Sequence, residues 1–438
     1  MVFAHGIGGA QDLPISLPFA LAGAGAALAV SFLVLALAWR SPRFEARTQG
    51  RPLPGALAHA VDGGWLTWLL RVLGLAFTAY VAWAALQGPA TAINPTFGVV
   101  YVLLWVGLVP ASLVLGPIYR ALNPLRTLHL IVSRATGGPP SKGLVALPSW
   151  VGLWPAAGGL LAFVWLELVY PGANQISSIV LWFTVYFVVV LVGAAIFGDE
   201  WIAAADPFEV YSTLVAHLSP FGRTEDGTLV TRSPLRTLDG VPPSPGLVAV
   251  VAILVGSTAY DSFQDSVAWV RFSQGLAVDG DVLNTVALVV FCLVGGLLFA
   301  GATMATKAVS GIPRREMPRL FAHSLVPIIV GYIIAHYLSF LFEMGQQTVI
   351  FLSDPMGDGS NLLGTADLQI NYWLSRNQTF LAFTKVFAIV GGHVLGVIAA
   401  HDRAMKLLPR RDQLTGQLPL LLVMVGYTVG GLYLLLTV

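Results

Sequence analysis

Residues 177–197 read SSIVLWFTVYFVVVLVGAAIF and contain no charged side chain. A helix rises about 1.5 Å per residue, so about 20 apolar residues span the roughly 30 Å hydrocarbon core of a bilayer. Similar apolar runs lie near 18–39, 67–87, 98–117, 151–170, 246–266, 282–307, 319–343, 379–401 and 417–437. The sequence therefore predicts an all-α protein, a polytopic membrane helix bundle of about ten transmembrane helices.

Positive charge alternates between the gaps that separate these runs. Most of the 23 Lys and Arg residues fall after the first, third, fifth, seventh and ninth runs, whereas the opposite gaps hold only Arg271 and Arg376. The positive-inside rule places the charged gaps in the cytoplasm. Both termini are therefore predicted outside, with 1–17 as an outer N-terminal segment and 344–378 as a long outer loop.

Composition agrees with a membrane environment. Apolar residues make up 56% of the 438 residues and charged residues 10%, which leaves too little polar surface for a soluble protein. The net charge of +1 comes from segregated loops, so nucleic acid is not an expected partner. The lone Cys292 excludes a disulfide framework and a thiolate metal cluster. We expect a single integral membrane domain over 1–438, with the lipid bilayer as a partner.

One internal similarity predicts a repeat. Asn123-Pro124 and Asp206-Pro207 lie 83 residues apart, each after an apolar run. Asn or Asp before Pro is a helix N-cap signature, so each dipeptide predicts a helix that begins just below the membrane. The same offset relates the starts of two runs and predicts parallel copies of a helix pair, 67–125 and 150–208. The alternative is that helix ends simply favour this dipeptide.

Polar side chains in two predicted helices follow the helical period. The sixth run carries a polar stripe made of Ser257, Tyr260, Asp261, Gln264 and Asp265. The eighth run carries a second stripe made of His336, Ser339, Glu343, Gln346 and Gln347. Because an ionisable side chain in hydrocarbon costs about 2.5–3.5 kcal/mol, these stripes are expected to face a polar interior.

Glu167 in the fourth run and Lys385 in the ninth lie at a similar depth to Asp261 and His336, in the outer third of the bilayer. Opposite charges that meet there neutralise one another. We therefore predict an outward-facing polar cavity between the fourth, sixth, eighth and ninth helices. Its predicted ligand-binding residues are Glu167, Tyr260, Asp261, Gln264, Asp265, His336, Glu343 and Lys385. The alternative is that each side chain reaches the headgroup region separately.

Histidines raise two further hypotheses. His5 and Asp12 could join His336 and Glu343 in a copper or zinc site, since imidazole and carboxylate groups ligate these divalent metals. A bis-histidine haem would need a pair drawn from the eighth and ninth helices, which carry His323, His336, His393 and His401. The depths of His323 and His393 match poorly, so haem is not expected.

Other motifs are uninformative about chemistry. The sequence has no GxSxG elbow, HExxH helix, Walker A loop or GxGxxG after a strand. The pairs Gly295-Gly296, Gly391-Gly392 and Gly430-Gly431 lie inside apolar runs and predict close helix contacts.

The N-terminal residues carry a family resemblance. The residues concerned are Ala4-His5-Gly6-Ile7-Gly8-Gly9, Asp12-Leu13-Pro14-Ile15, Ser31-Phe32 and Trp39-Arg40-Ser41-Pro42-Arg43. With the overall hydropathy, they resemble an actinobacterial family of multi-pass membrane proteins commonly labelled fenitrothion hydrolase. The resemblance implies a bacterial plasma (inner) membrane and hydrolysis of organophosphate esters. His336 or Asp261 would then act as base and Lys385 as electrostatic partner, although the metal-binding clusters of soluble phosphotriesterases are absent.

Three function hypotheses follow. In the first, the outer cavity binds or transports a small solute or metal ion, and Asp261, His336 and Lys385 couple its occupancy to proton uptake. In the second, the protein is a membrane hydrolase of an apolar organophosphate-type ester that enters from lipid. In the third, it is an accessory subunit of a larger membrane complex.

Overall fold

The computed structural model describes residues 16–44, 50–306 and 311–437. The first helices of the chain are α1 (Leu17–Ala38), α2 (Gly55–Asp62), α3 (Gly64–Gln87), α4 (Pro95–Phe97), α5 (Leu108–Leu115), α6 (Ile118–Leu122), α7 (Pro124–Ala135), α8 (Trp154–Leu168), α9 (Ile176–Phe197) and α10 (Asp199–Ala205). They are followed by α11 (Pro207–Ala216), α12 (Pro234–Leu238), α13 (Leu247–Gln264), α14 (Val267–Gln274), α15 (Gly280–Met304), α16 (Met317–Phe321), α17 (Val326–Ser353), α18 (Trp373–Arg376), α19 (Gln378–Leu407) and α20 (Leu418–Thr437).

Other regular structure is sparse in the described chain. A π-helix covers Gly98–Val106, and short 3-10 turns cover Arg314–Glu316, Ala322–Leu325, Arg410–Asp412 and Thr415–Gln417. Three short strands, β1 (Arg51–Pro52), β2 (Phe221–Arg223) and β3 (Leu229–Thr231), form an antiparallel sheet in the order β1-β3-β2. Thr231 of the central strand pairs with Arg51 on one side and Phe221 on the other.

The membrane spans agree with the sequence. Within the described residues, eight helices are long and apolar enough to cross a bilayer, or nine if the bent pair Pro95–Val106 and Leu108–Leu115 is one span. The shorter apolar helix α8 covers the remaining predicted run. The prediction of an all-α polytopic membrane bundle is confirmed. That both termini lie outside stays a prediction.

Two of the predicted spans are irregular. The third bends by 44° where the π-helix gives way to α5. A π turn widens the helix, and Pro110 has no N–H to continue the hydrogen-bond ladder, so the axis changes direction there. The fourth span is short because Pro155 favours the first helical turn, and α8 has 15 residues, or about 22 Å.

The helix that covers the eighth predicted run is longer than that run. Helix α17 continues to Ser353, because the apolar residues Val349–Leu352 follow the polar side chains of the second stripe without a break. The first residues of the predicted outer loop 344–378 are therefore helical, and His336 lies near the middle of its helix.

The chain forms two compact units. The first contains the described residues of Met1–Ala46, Leu238–Phe340 and Tyr372–Val438, and the second contains Arg47–Thr237 and Leu341–Asn371. Helix α17 contributes its first half to the first unit and its second half to the second. The single domain over 1–438 stays a prediction.

Several of the long helices expose large apolar side chains, as expected for contact with lipid. On α9, Leu181 and Val192 are 66% and 55% exposed, and on α15 Leu297 is 67% exposed. Soluble proteins rarely expose continuous apolar surfaces of this kind, because their contact with water is unfavourable. The exposed faces of these helices therefore support contact with the bilayer.

The two predicted repeat segments share local structure in the second unit. Gly116 and Gly198 both adopt a left-handed φ, 75° and 77°, at the end of a membrane span. After a short helix, Asn123 and Asp206 each cap the next helix by accepting hydrogen bonds from two backbone N–H groups. The N-cap prediction is thus met at both sites, and the repeat of 67–125 and 150–208 stays a prediction.

The glycine pairs of the first unit divide their roles. A Cβ on Gly392 would lie 2.5 Å from the Pro327 carbonyl oxygen, so α17 and α19 cross there in close contact. The partner glycines of the three pairs, Gly295, Gly391 and Gly430, instead have open space where a Cβ would lie. Only one member of each pair therefore makes the close contact that the sequence predicts.

Candidate functional site

The predicted polar stripes lie on the two most deeply buried of the described spans, which contain α13 and α17. Both helices have apolar side chains on several faces, so neighbouring helices surround them and their polar residues point inward. Asp261 and His336 are 1% and 5% exposed. Within the first unit, these two side chains therefore lie in the protein interior rather than on its surface.

Asp261 and His336 form a close pair between these helices. Nε2 of His336 lies 2.9 Å from Oδ2 of Asp261. This contact has the distance of an ion pair, and Nε2 makes no hydrogen bond within the described residues. A buried pair of this kind is stabilised only if other groups satisfy its remaining polar atoms.

Neighbouring side chains supply that support. The Tyr337 hydroxyl donates to Oδ2 of Asp261 over 2.5 Å, and the Gln264 amide donates to Oδ1 over 3.0 Å. On the other edge of the imidazole, Nδ1 of His336 lies 3.1 Å from the Ser262 hydroxyl, which is 2.7 Å from the Tyr332 hydroxyl. Carboxylate, imidazole, serine and tyrosine thus form one polar chain, here called the Asp261–His336 chain.

Three other predicted residues belong to the same unit. Lys385 on α19 is 2% exposed, although it carries an ammonium group. Tyr260 is fully buried against Phe291, with ring centroids 5.9 Å apart. Asp265 is exposed at the end of α13, so it is not part of the buried chain.

The remaining predicted ligand residues belong to the second unit. Glu167 is half-buried near the end of α8, and Glu343 is 5% exposed on the second half of α17. The outward-facing cavity that would unite all four helices therefore stays a prediction.

Two of the four residues in the metal hypothesis, His5 and Asp12, lie outside the described residues. Among the described ones, no group of three or more His, Cys, Asp or Glu side chains is placed to hold a metal ion. In His336, Nε2 lies next to Asp261 Oδ2 and Nδ1 next to Ser262 Oγ.

The histidines considered for haem have other partners. His401 contacts Gln417 Oε1 through Nδ1, at 3.0 Å, and the Trp39 carbonyl oxygen through Nε2, at 3.1 Å. Both ring nitrogens of His401 are therefore occupied. On His336, Nδ1 contacts the Ser262 hydroxyl, and Nε2 lies 2.9 Å from Asp261 Oδ2 without a hydrogen bond. Within the described residues, Nε2 of His393 has no hydrogen-bond partner either.

The sequence did not predict three members of the Asp261–His336 chain, which are Ser262, Tyr332 and Tyr337. The predicted stripes followed one helical face, whereas consecutive residues such as Asp261 and Ser262 point about 100° apart. His336 reaches both because it lies between their directions. The available signal was that Ser262 and Tyr337 directly follow the two predicted ionisable residues.

A second polar cluster, within the second unit, joins the two capped helices. The Asn123 amide donates to Asp206 over 2.8 Å, and Arg126 donates two hydrogen bonds of 2.6 Å to Glu209. Both pairs join residues 83 apart, so the repeat-related positions contact one another. We call these four residues the cap cluster. Applying the 83-residue offset of the predicted repeat to Arg126 gives Glu209, so the sequence could have indicated this pair.

The cap cluster predicts a dependence of stability on pH. Burial and the neighbouring charge of Glu209 raise the pKa of Asp206 from 3.8 to about 6. The folded protein holds this proton more tightly than the unfolded chain does, so protonation of Asp206 adds to the free energy of unfolding. This contribution is fully present below about pH 4 and is lost as pH rises through 6. Tm should fall by several degrees over this range. Asp206→Asn should abolish this fall, whereas the exposed control Asp62→Asn should keep it; the same slope in both variants would contradict the assignment.

No protein-family model, no curated protein and no solved structure matches this chain.

Proposed function

We propose that this multi-pass membrane protein resides in a bacterial plasma membrane and binds and moves a small solute or ion, with proton uptake at the Asp261–His336 chain. The observation that carries the proposal is the 2.9 Å contact between a carboxylate and an imidazole inside two buried spans. Ionisable groups held within a membrane commonly mark proton relays or ion pathways.

The charges of the site favour a proton-linked role. An imidazole can both accept and donate a proton, and His336 Nε2 lies 2.9 Å from the carboxylate of Asp261, so the pair can hold and pass on a proton. Lys385 adds a further buried ionisable side chain to the same unit. A change in protonation would therefore alter the attraction between α13 and α17.

Proton flux in proteoliposomes tests this proposal. Vesicles containing the full chain and an internal pH-sensitive dye would be given a potassium diffusion potential with valinomycin. We expect inward proton flux well above that of protein-free vesicles, and at least a tenfold loss in Asp261→Asn or His336→Gln, because each removes one member of the pair.

The chain offers a matched control for that experiment. Asp265→Asn changes an exposed carboxylate on the same helix, one turn away, and should leave the flux unchanged. Wild-type flux equal to that of empty vesicles, or equal flux in Asp261→Asn and Asp265→Asn at equal reconstitution, would overturn the proposal.

A second function, ester hydrolysis, is favoured by one further contact. Ser262 Oγ, His336 and Asp261 follow one another in the order nucleophile, base and orienting acid, with 3.1 Å and 2.9 Å between successive groups. The family resemblance implies an apolar organophosphate ester as substrate. In this mechanism, the Ser262 oxygen would attack phosphorus, His336 would accept the serine proton, and the leaving group would depart with a proton returned by His336. A water molecule that gives its proton to His336 would then attack the phosphorylated serine, and the Ser262 oxygen would leave with that proton, which restores the free hydroxyl.

Ser262→Ala separates the two functions. Hydrolysis of a nitrophenyl phosphotriester by the purified protein should then fall to background, while Ser257→Ala, on the same helix, should retain it. If the protein instead moves protons without nucleophilic chemistry, Ser262→Ala should keep most of its proton flux, and wild type should show no ester turnover.

A further inference from the structure

A cavity of about 290 Å³ lies among α13, α15, α17, α19 and α20 of the first unit. Its lining is largely aliphatic and glycine-rich, with Thr258, Tyr332, His393 and Tyr427 as the polar side chains. Asp261, His336 and Lys385 do not line it. The cavity is thus separate from the site proposed above, which it meets only through Tyr332.

His393 presents one unused hydrogen-bond acceptor to this cavity. Its Nδ1 lies 2.8 Å from the Ile389 carbonyl oxygen, which can only accept, so Nδ1 carries the proton. Nε2 on the opposite ring edge then bears a lone pair and has no hydrogen-bond partner among the described residues, although the side chain is only 1% exposed. A buried acceptor without a partner costs about 1–3 kcal/mol, so a ligand that donates to it would gain affinity.

The three hydroxyl groups of the lining do not offer a comparable anchor. The Tyr427 hydroxyl donates to the Gly295 carbonyl oxygen, the Thr258 hydroxyl donates to the Leu254 carbonyl oxygen, and the Tyr332 hydroxyl contacts Ser262. A trapped water needs two to four polar partners, which this lining does not provide around His393. An occupant should therefore be mainly apolar and carry one hydrogen-bond donor.

The glycines of the lining make room for that occupant. Gly295, Gly426 and Gly430 each have no atom within 4 Å of the position that a Cβ would take. The resulting volume is nearly twice the ~150 Å³ of a cavity that accommodates benzene. Two fused aromatic rings are of suitable size.

We propose that this cavity binds a membrane-soluble alcohol or phenol of about two fused rings, whose hydroxyl group donates a hydrogen bond to His393 Nε2. The ligand would enter from the bilayer, because the surrounding helices are membrane spans. This site is independent of the proton-linked function and of ester hydrolysis.

Equilibrium binding of two radiolabelled probes to the full chain in nanodiscs tests the proposal, with binding to empty nanodiscs subtracted. The probes are 2-naphthol and 2-methylnaphthalene, which differ in the hydroxyl that would donate. Wild type should bind 2-naphthol about three- to tenfold more tightly than its methyl analogue. His393→Leu should abolish this preference, and His393→Gln, which retains an acceptor, should keep part of it.

Cavity-filling variants locate the binding. Gly430→Leu should weaken binding of both probes at least tenfold, whereas Gly391→Leu, which also meets open space but lies outside the cavity, should leave binding unchanged. Gly430→Ala provides a milder change if the leucine variant does not fold. Equal affinity of wild type for both probes would show that an acyl chain or any apolar molecule suffices, and would overturn the proposal. Unchanged binding in folded Gly430 variants would overturn it as well.

Discussion

Arg126→Met is expected to lower the free energy of unfolding by about 3–5 kcal/mol. Arg126 and Glu209 form a bidentate pair with two contacts of 2.6 Å, and both residues are buried. Removing the guanidinium leaves the buried carboxylate of Glu209 with the Asn123 amide, 2.9 Å away, as its remaining side-chain donor in the cap cluster. Titration with a denaturing detergent, followed by tryptophan fluorescence, measures the change.

The same carboxylate provides the control. Arg120 approaches Glu209 at 3.9 Å, but its side chain is 61% exposed, so water screens the interaction. Arg120→Met should therefore cost less than about 1 kcal/mol. Adding Glu209→Met to Arg126→Met should restore much of the stability, because an apolar pair leaves no uncompensated charge. Equal losses for Arg126→Met and Arg120→Met would show that the pair does not hold α7 against α11.

Gly74→Ala should lower the free energy of unfolding by about 3 kcal/mol. A Cβ at Gly74 on α3 would lie 1.9 Å from the Leu122 carbonyl oxygen at the end of α6. Because this neighbour is backbone rather than a flexible side chain, the two helices must move apart. Thermal unfolding of the purified variant in detergent measures the loss.

Gly158→Ala on α8 is the matched substitution. No atom lies within 4 Å of its Cβ position, so the change adds helix propensity without a clash. It should be neutral or stabilising by up to about 1 kcal/mol. A comparable loss of stability in both variants would mean that the close approach of α3 and α6 is not the cause.

The ionisable residues show how much of the candidate site could be predicted from the sequence. Asp261 and His336 stood out because charged or titratable groups are rare in apolar runs. Asp265 carried the same signal through its spacing, yet it is exposed at a helix end. Periodicity describes a face of one helix, and it does not say where along the helix that face stops being buried.

The spans themselves were readable from the sequence because membrane insertion depends on apolar content summed along about 20 consecutive residues. The N-caps at Asn123 and Asp206 were readable for a similar reason, since a cap is a local hydrogen-bonding pattern. By contrast, the contact of His336 with both Asp261 and Ser262, and the open space beside Gly430, depend on how neighbouring helices rotate and approach. Those quantities are set by packing between segments distant in the chain, so only the tertiary structure decides them.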